Sequence, residues 1–160
     1  MAEPEVALRY LVAELVAEMT RIDTTIAEIH GALRLQETRP WTPLERYGLA
    51  RLVESFYTGV ERVLDRIEAV FGGRDRSSAG WHRALLSAAA LDVPGVRVAV
   101  LSPQSVEVLE LLLAFRHRSR NLYAFELDEV RVRAVAEQAV AAWPPVRAEV
   151  EHFAAQLLPV

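Results

Sequence analysis

The N-terminal quarter of the chain carries a long, regular apolar pattern that constrains the fold more than any other feature. Its apolar residues recur at alternating spacings of four and three: Leu8, Val12, Leu15, Met19, Ile22, Ile26, Ile29 and Leu33. This spacing places them on one face of an α-helix. It predicts a helix from about Pro4 to about Glu37, whose apolar face must pack on another long helix, either in the same chain or in a second copy.

The second predicted helix has the clearest boundaries. Thr42, Pro43 and Glu45 form a capping-box pattern at its start. The helix should run to about Phe71 and stop at Gly72-Gly73. We expect its inward face to consist of Leu52, Phe56, Val60, Val63, Ile67 and Val70. A strip of small residues, at which another backbone could approach closely, consists of Gly48, Ser55 and Gly59.

The second half of the chain contains shorter helical segments separated by turn residues. The apolar stretch at 96–101 could form only a single strand without a partner, so we expect an extended connection there. Pro144 and Pro145 should end or kink the last long helix. In order, the pattern predicts a polar loop at 74–80, a short helix at 81–91, a turn at 92–95, a helix opened by Ser102-Pro103, a break at 123–128, a helix at 129–142 capped by Asp128, and a final helix to about 158.

Together these segments predict an all-α protein, an up-and-down helical bundle of four main helices plus a short helix. A length of 160 residues is typical of a single domain, here residues 1–160 with a long N-terminal helix at about 4–37.

Composition excludes several functional classes. The chain has no cysteine, which rules out disulfides, thiolate nucleophiles and cysteine-based zinc sites. It has no apolar run of about 18 residues, so no transmembrane helix is expected, and its acidic N-terminus is unlike a signal peptide. We therefore expect a cytoplasmic protein without membrane association. A net charge of −4 does not favour general nucleic-acid binding, although all 18 basic residues are arginine.

One polar cluster stands out, at residues 116–123. Arg116, Arg120 and Tyr123 are spaced as neighbours on one helix face, and His117 and Asn121 form a second pair four residues apart. Arginine can stabilise a phosphorane-like charge, and neutral histidine can move a proton near neutral pH. The arginines could instead cap a helix C-terminus and pair with nearby acidic residues. The four histidines are widely separated, so no metal site is expected.

Three segments of the chain together resemble the HepT-like branch of the HEPN superfamily, over about residues 44–128. The segments are 49–61, from Leu49-Ala50-Arg51 to Gly59-Val60-Glu61; 81–86, Trp81-His82-Arg83-Ala84-Leu85-Leu86; and 115–128, Phe115-Arg116-His117 through Tyr123 to Leu127-Asp128. Members of this family are small helical proteins that are paired with MNT-type minimal nucleotidyltransferases in prokaryotic toxin–antitoxin modules. The long first helix fits a longer subgroup.

The resemblance implies a homodimer with facing arginine motifs and a metal-independent, cofactor-free endoribonuclease activity on RNA. The family motif is Arg, four residues, His, one residue, Tyr. It places its arginine at Arg116 and its tyrosine at Tyr123, but its histidine position is Asn121, which cannot act as a general base. His117 is the candidate substitute. Arg118 and Arg120 are candidate RNA phosphate contacts.

In the family, the nucleotidyltransferase adenylylates the motif tyrosine, so Tyr123 is the candidate acceptor of that modification. A tyrosine that packs its ring into the bundle is the alternative. Glu54, Tyr57 and Glu61 share one face of the second helix and could meet the arginines. His82 is poorly placed for the dipole of the helix that it starts, which suggests a contact with another group.

Three functions remain open. The chain could be a HepT-like ribonuclease toxin with a degenerate motif. It could be a non-catalytic HEPN-like subunit that binds a partner nucleotidyltransferase or its substrate, which the missing histidine favours. The heptad pattern alone would also allow a purely structural helical adaptor.

Overall fold

The computed structural model describes residues 3–72 and 77–158. Its helices are α1 (Glu3–Gln36), α2 (Pro43–Phe71), α3 (Trp81–Ala89), α4 (Pro103–Ser119) and α5 (Glu129–Gln156), with a 3₁₀ turn at Ala124–Glu126. No strand forms in these two ranges, where Val93 and Arg97 make an isolated bridge. The long helices alternate in direction, which confirms the predicted up-and-down bundle of four main helices plus a short one.

Helix α1 packs within the chain, against α2 and α5. Four residues of the predicted apolar face, Leu15, Met19, Ile22 and Ile29, are buried, and the other four are partly buried. The buried face also includes Leu11 and Glu18. The Glu18 carboxylate pairs with arginines of both helices, Arg21 on α1 and Arg62 and Arg66 on α2. The α1–α2 interface is therefore apolar with one ionic cluster.

Helix α2 is central and contacts every other helix. Its start is as predicted, because Thr42 and Glu45 form a complete capping box. Gly59 is approached closely by the Ile22 side chain rather than by a backbone, since a Cβ there would lie 2.7 Å from Ile22 Cγ1. The rest of the small-residue strip is wrong: Gly48 has no such neighbour and Ser55 is exposed. The predicted inward residue Val70 is likewise 43% exposed, whereas Leu49, Val53 and Leu64 are buried.

The connections between helices largely follow the sequence pattern. The turn predicted at 92–95 lies at 94–96, between the bridged Val93 and Arg97, and so includes the start of the predicted extended connection. Residues 98–102 form neither helix nor strand, and Val100 and Leu101 are buried there. The predicted stop at Gly72-Gly73 agrees with the C-cap at Gly72. Gly73 and residues 74–76 of the predicted polar loop lie outside the described residues. The short helix α3 ends two residues earlier than predicted, at Ala89.

The last helix does not end at Pro144-Pro145, as one of the two predicted outcomes had it, because α5 runs through both prolines. Each proline lacks the N–H that would bond to the carbonyl four residues earlier, but both lie on the exposed side of the helix, where water can serve those carbonyls. Tertiary packing secures the opposite side. The buried Trp143 ring packs edge-on against Phe56 at 6.0 Å, and its Nε1 donates to Asp23 Oδ1 at 2.6 Å.

Candidate functional site

The predicted cluster begins on α4 and continues past its end. Arg116, His117 and Arg118 lie in the last turn, and Arg120 is the C-cap. The expectation that Tyr123 shares a helix face with Arg116 is wrong, because the helix ends at Ser119 and Tyr123 has an extended backbone. The amides of residues 121 and 122 bond to carbonyls three residues earlier, which tightens the chain into a turn.

Arg116 points back across the bundle to α2. Its guanidinium lies 3.2 Å from Glu61 Oε2 and 5.6 Å from the centre of the Tyr57 ring. The side chains of Arg116 and Glu61 are each only 14% exposed. Glu61 and Tyr57 therefore meet the arginine, as expected from their shared face. Burial, followed by the nearby Glu61 carboxylate, raises the pKa of Tyr57 above its ordinary value of 10, so its hydroxyl stays protonated.

Glu54 differs from the expectation that it would meet the arginines of the cluster. Its carboxylate accepts hydrogen bonds from the Ser119 hydroxyl and from Arg51 on its own helix. Both Glu54 and Ser119 are buried. This contact fixes the end of α4 on α2 and so positions the last turn that carries Arg116 and His117.

His82, at the start of α3, joins the same cluster. Its Nδ1 lies 2.6 Å from Glu61 Oε2, and its ring meets the His117 ring edge-on at 5.7 Å between centroids. Glu61 thus contacts both Arg116 and His82, while His117 lies beside them. The sequence indicated a contact for His82 but did not place it or Glu61 among the candidate site residues. The sequence signal for His82 was its unfavourable position at a helix start, and the signal for Glu61 was its place on the α2 face that could meet the arginines.

The surroundings of His117 favour its neutral form. Desolvation is the largest cause, followed by the neighbouring His82, Arg116 and Arg120, and together they lower the pKa of His117 below 6.5 despite the opposing Glu61 carboxylate. A neutral imidazole can accept a proton at neutral pH. His117 is therefore chemically suited to act as a base.

None of the other candidate residues bonds to Glu61 within the described chain, although Arg120 lies close enough to His117 to lower its pKa. Asn121 is exposed, and its Nδ2 donates to the His117 carbonyl at 3.2 Å. Arg118 and Arg120 are exposed and make no ion pair within residues 3–72 and 77–158. Tyr123 is 71% exposed, so its ring does not pack into the bundle. The candidate site is thus divided into a half-buried cluster of Arg116, Glu61 and His82, with the exposed His117 beside it, and an exposed surface.

No group of three or more histidine or acidic side chains within the described parts of the chain could hold a metal ion. The same parts contain no helix that is long and apolar enough to span a membrane.

Comparison with known proteins identifies the family. The model of the HepT-like proteins matches residues 48–157, which cover α2 from its first turns through α5 and leave α1 outside. No curated protein and no solved structure matches the chain significantly. The match contains the half-buried cluster and extends beyond the segments on which the resemblance was based. The chain therefore belongs to the HepT-like family of HEPN proteins.

Proposed function

We propose that this protein is the HepT-like component of a prokaryotic toxin–antitoxin module and that it cleaves RNA without a metal ion. One observation carries the proposal. Arg116 and His117, which follow one another on α4, meet His82 beside a single carboxylate, Glu61. This cluster combines a cation, a neutral histidine and a second, carboxylate-bound histidine, which together suit phosphodiester cleavage.

The proposed reaction uses the ribose 2′-hydroxyl as the nucleophile. His117 accepts its proton while the 2′-oxygen bonds to phosphorus. The bond from phosphorus to the 5′-oxygen then breaks, and His82 donates a proton to that oxygen. The products are a 2′,3′-cyclic phosphate and a 5′-hydroxyl end. Arg116 would stabilise the charge on the phosphorane. Glu61 would orient Arg116 and His82.

Asn121 occupies the position of the family histidine but has no catalytic proton to give or take. Its contact with the His117 carbonyl supports a positioning role at the end of α4. Arg118 and Arg120 are proposed RNA phosphate contacts because both are exposed and have no acidic partner within the described ranges.

A homodimer is part of the proposal. Among the described residues, the cluster around Glu61 contains one arginine and two histidines, and a second copy facing it would double these groups around a single RNA strand. Light scattering coupled to size exclusion measures this state directly, and a monomer at micromolar concentration would contradict it.

The proposed partner is an MNT-type nucleotidyltransferase, with Tyr123 as the acceptor of an adenylyl group. The tyrosine oxygen would attack the α-phosphate of ATP, lose its proton and release pyrophosphate. The exposure of Tyr123 supports its access to a partner active site. Incubation with ATP and the MNT-type nucleotidyltransferase proposed as its partner should add the mass of AMP to the wild type and not to Tyr123→Phe.

Two observations favour a second candidate, a non-catalytic subunit that binds the nucleotidyltransferase or its substrate. The charge of Arg116 is balanced by Glu61, and Asn121 replaces the family histidine. In this case the cluster would hold α2, α3 and α4 together without chemistry.

Cleavage of single-stranded RNA in the presence of EDTA tests the ribonuclease proposal. Wild-type protein should cleave, and Arg116→Ala and His117→Ala should each lose about 10²-fold or more in rate. His30→Ala, an exposed histidine on α1, is the matched control and should cleave normally. Absence of both RNA cleavage and growth arrest on expression without the partner would contradict the proposal and favour the second candidate.

A further inference from the structure

Two aromatic rings are exposed to solvent on the connection between α4 and α5. Tyr123 and Phe125 stack with 5.5 Å between centroids and 4° between ring planes. Tyr123 is 71% exposed and Phe125 78%. Large aromatic side chains usually contribute to stability through burial, and neither of these does so to any extent. Exposed rings of this kind are available to contact a ligand.

The turn that carries these rings is held by several bonds. The Tyr123 amide donates to Glu126 Oε2 at 2.6 Å, and the Glu126 amide donates back to the Tyr123 carbonyl at 2.9 Å. Leu127 is buried behind the turn, and Asp128 caps α5 through the Val130 amide at 2.8 Å. A surface ordered in this way before binding loses little further entropy when a ligand stacks on it.

The nearby charges favour an anionic ligand. Arg118 and Arg120 precede the rings by a few residues, are exposed, and form no ion pair with the residues that the structure describes. The acidic residues of the turn, Glu126 and Asp128, are already bonded to backbone amides. Arg118 also borders a small groove together with Arg131 and the two acidic residues, Glu126 and Asp128.

We propose that Tyr123 and Phe125 form a stacking surface for a base of single-stranded RNA, with Arg118 and Arg120 contacting the adjoining phosphates. Aromatic rings beside arginines bind single strands in this way because every base offers a π-face while the backbone carries the charge. The inference rests on the proposed ribonuclease function, for which it supplies the substrate-binding contacts. It assigns Phe125 a role that neither the family motif nor the cluster at Glu61 contains.

Binding of a fluorescently labelled single-stranded RNA carrying 2′-O-methyl groups tests this inference. The methyl groups block the proposed nucleophile, so binding is measured apart from cleavage. Phe125→Ala should weaken binding about 5- to 100-fold, as should Tyr123→Ala, and Phe125→Trp should restore it. Val130→Ala removes an exposed aliphatic side chain from the same region (77% exposed) and should change binding less than twofold.

The outcomes separate the inference from the proposed function. If Phe125→Ala loses binding while unmethylated RNA stays intact with the wild-type protein, the stacking surface stands and the ribonuclease proposal fails. If wild-type protein does not bind the RNA, or binds as tightly after Phe125→Ala, the stacking surface is wrong even where cleavage occurs. A change in oligomeric state of Phe125→Ala with unchanged RNA binding would also overturn it, and would assign the rings to a protein contact.

Discussion

The guanidinium of Arg116 lies 3.2 Å from the carboxylate of Glu61, and the two side chains are equally shielded from solvent. The carboxylate oxygen at this distance, Oε2, also lies 2.6 Å from His82 Nδ1. One acidic residue of α2 therefore connects α4 and α3. It also balances the charge of Arg116, the residue at the arginine position of the family motif.

Glu61→Gln should lower the free energy of unfolding by about 1–3 kcal/mol, because the neutral amide loses charge-assisted bonds to Arg116 and His82. Urea denaturation measures the change. Glu107→Gln alters an exposed carboxylate on α4 and should stay within about 0.5 kcal/mol of the wild type. Equal effects of the two substitutions would contradict the connecting role of Glu61.

Gly59→Ala should destabilise the protein by about 1–3 kcal/mol, because the added methyl group would collide with Ile22 at the α1–α2 interface. Gly48→Ala is the matched control in the same helix. No atom would lie within 4 Å of its new Cβ, so it should stabilise the protein by about 0.5–1 kcal/mol through helix propensity. Thermal or urea unfolding checks both, and a stabilising Gly59→Ala would show that the interface has room.

The lowered pKa of His117 predicts how the free energy of unfolding changes with pH. Between that pKa and 6.5, the unfolded chain holds more protons at this residue than the folded protein. The free energy of unfolding should therefore rise with pH in this window. The loss of stability caused by protonation of His117 should be complete below the window and absent above 6.5. NMR titration of the imidazole in the folded protein should give a lower midpoint than in the urea-unfolded chain. Coinciding midpoints would contradict the prediction.

If His117 is the base, RNA cleavage should follow its titration. The rate should rise with pH through the folded-state pKa of His117 as the neutral base forms, and it should fall again where His82 loses the proton that it donates. His82→Gln removes one of the groups that lower the pKa of His117, but it also removes the proposed proton donor. Its effect is therefore measured by NMR titration of the His117 imidazole, whose midpoint should move upward. A rising limb of the wild-type cleavage rate that does not coincide with the His117 midpoint would assign the pH dependence to another group.

Replacing both Pro144 and Pro145 by alanine should raise the free energy of unfolding by about 1–3 kcal/mol. The two new amides can donate to carbonyls within α5, and the exposed rings contribute little burial. Pro43→Ala is the control, because a proline at the first position of α2 costs no helix hydrogen bond and should not gain stability on replacement. A destabilised double variant would indicate that the prolines support the packing around Trp143.

Local sequence determined the helices and most of their boundaries. Three kinds of signal act within one or two helical turns: the spacing of apolar residues in α1, the capping box at Thr42, and the caps at Ser102 and Asp128. Because they act locally, the helices that they produce can be predicted without knowing the fold. The same local rules failed at Pro144-Pro145. There the two missing amide hydrogen bonds destabilise the helix locally, which the sequence shows. The burial of Trp143, which offsets this cost, depends on contacts with α1 and α2 that the sequence does not show.

The candidate site also combines features that local sequence predicts with features that depend on tertiary packing. The family motif placed Arg116 and Tyr123 at its arginine and tyrosine positions, and His117 was the candidate substitute for its histidine, but the tertiary structure took Tyr123 off the helix face of Arg116 by ending α4 at Ser119. Glu61 lies 55 positions from Arg116 and 21 from His82. Their meeting depends on the rotation and register of three packed helices, which no local spacing encodes. The sequence by itself thus determined which helices form, and packing decided which side chains share a carboxylate.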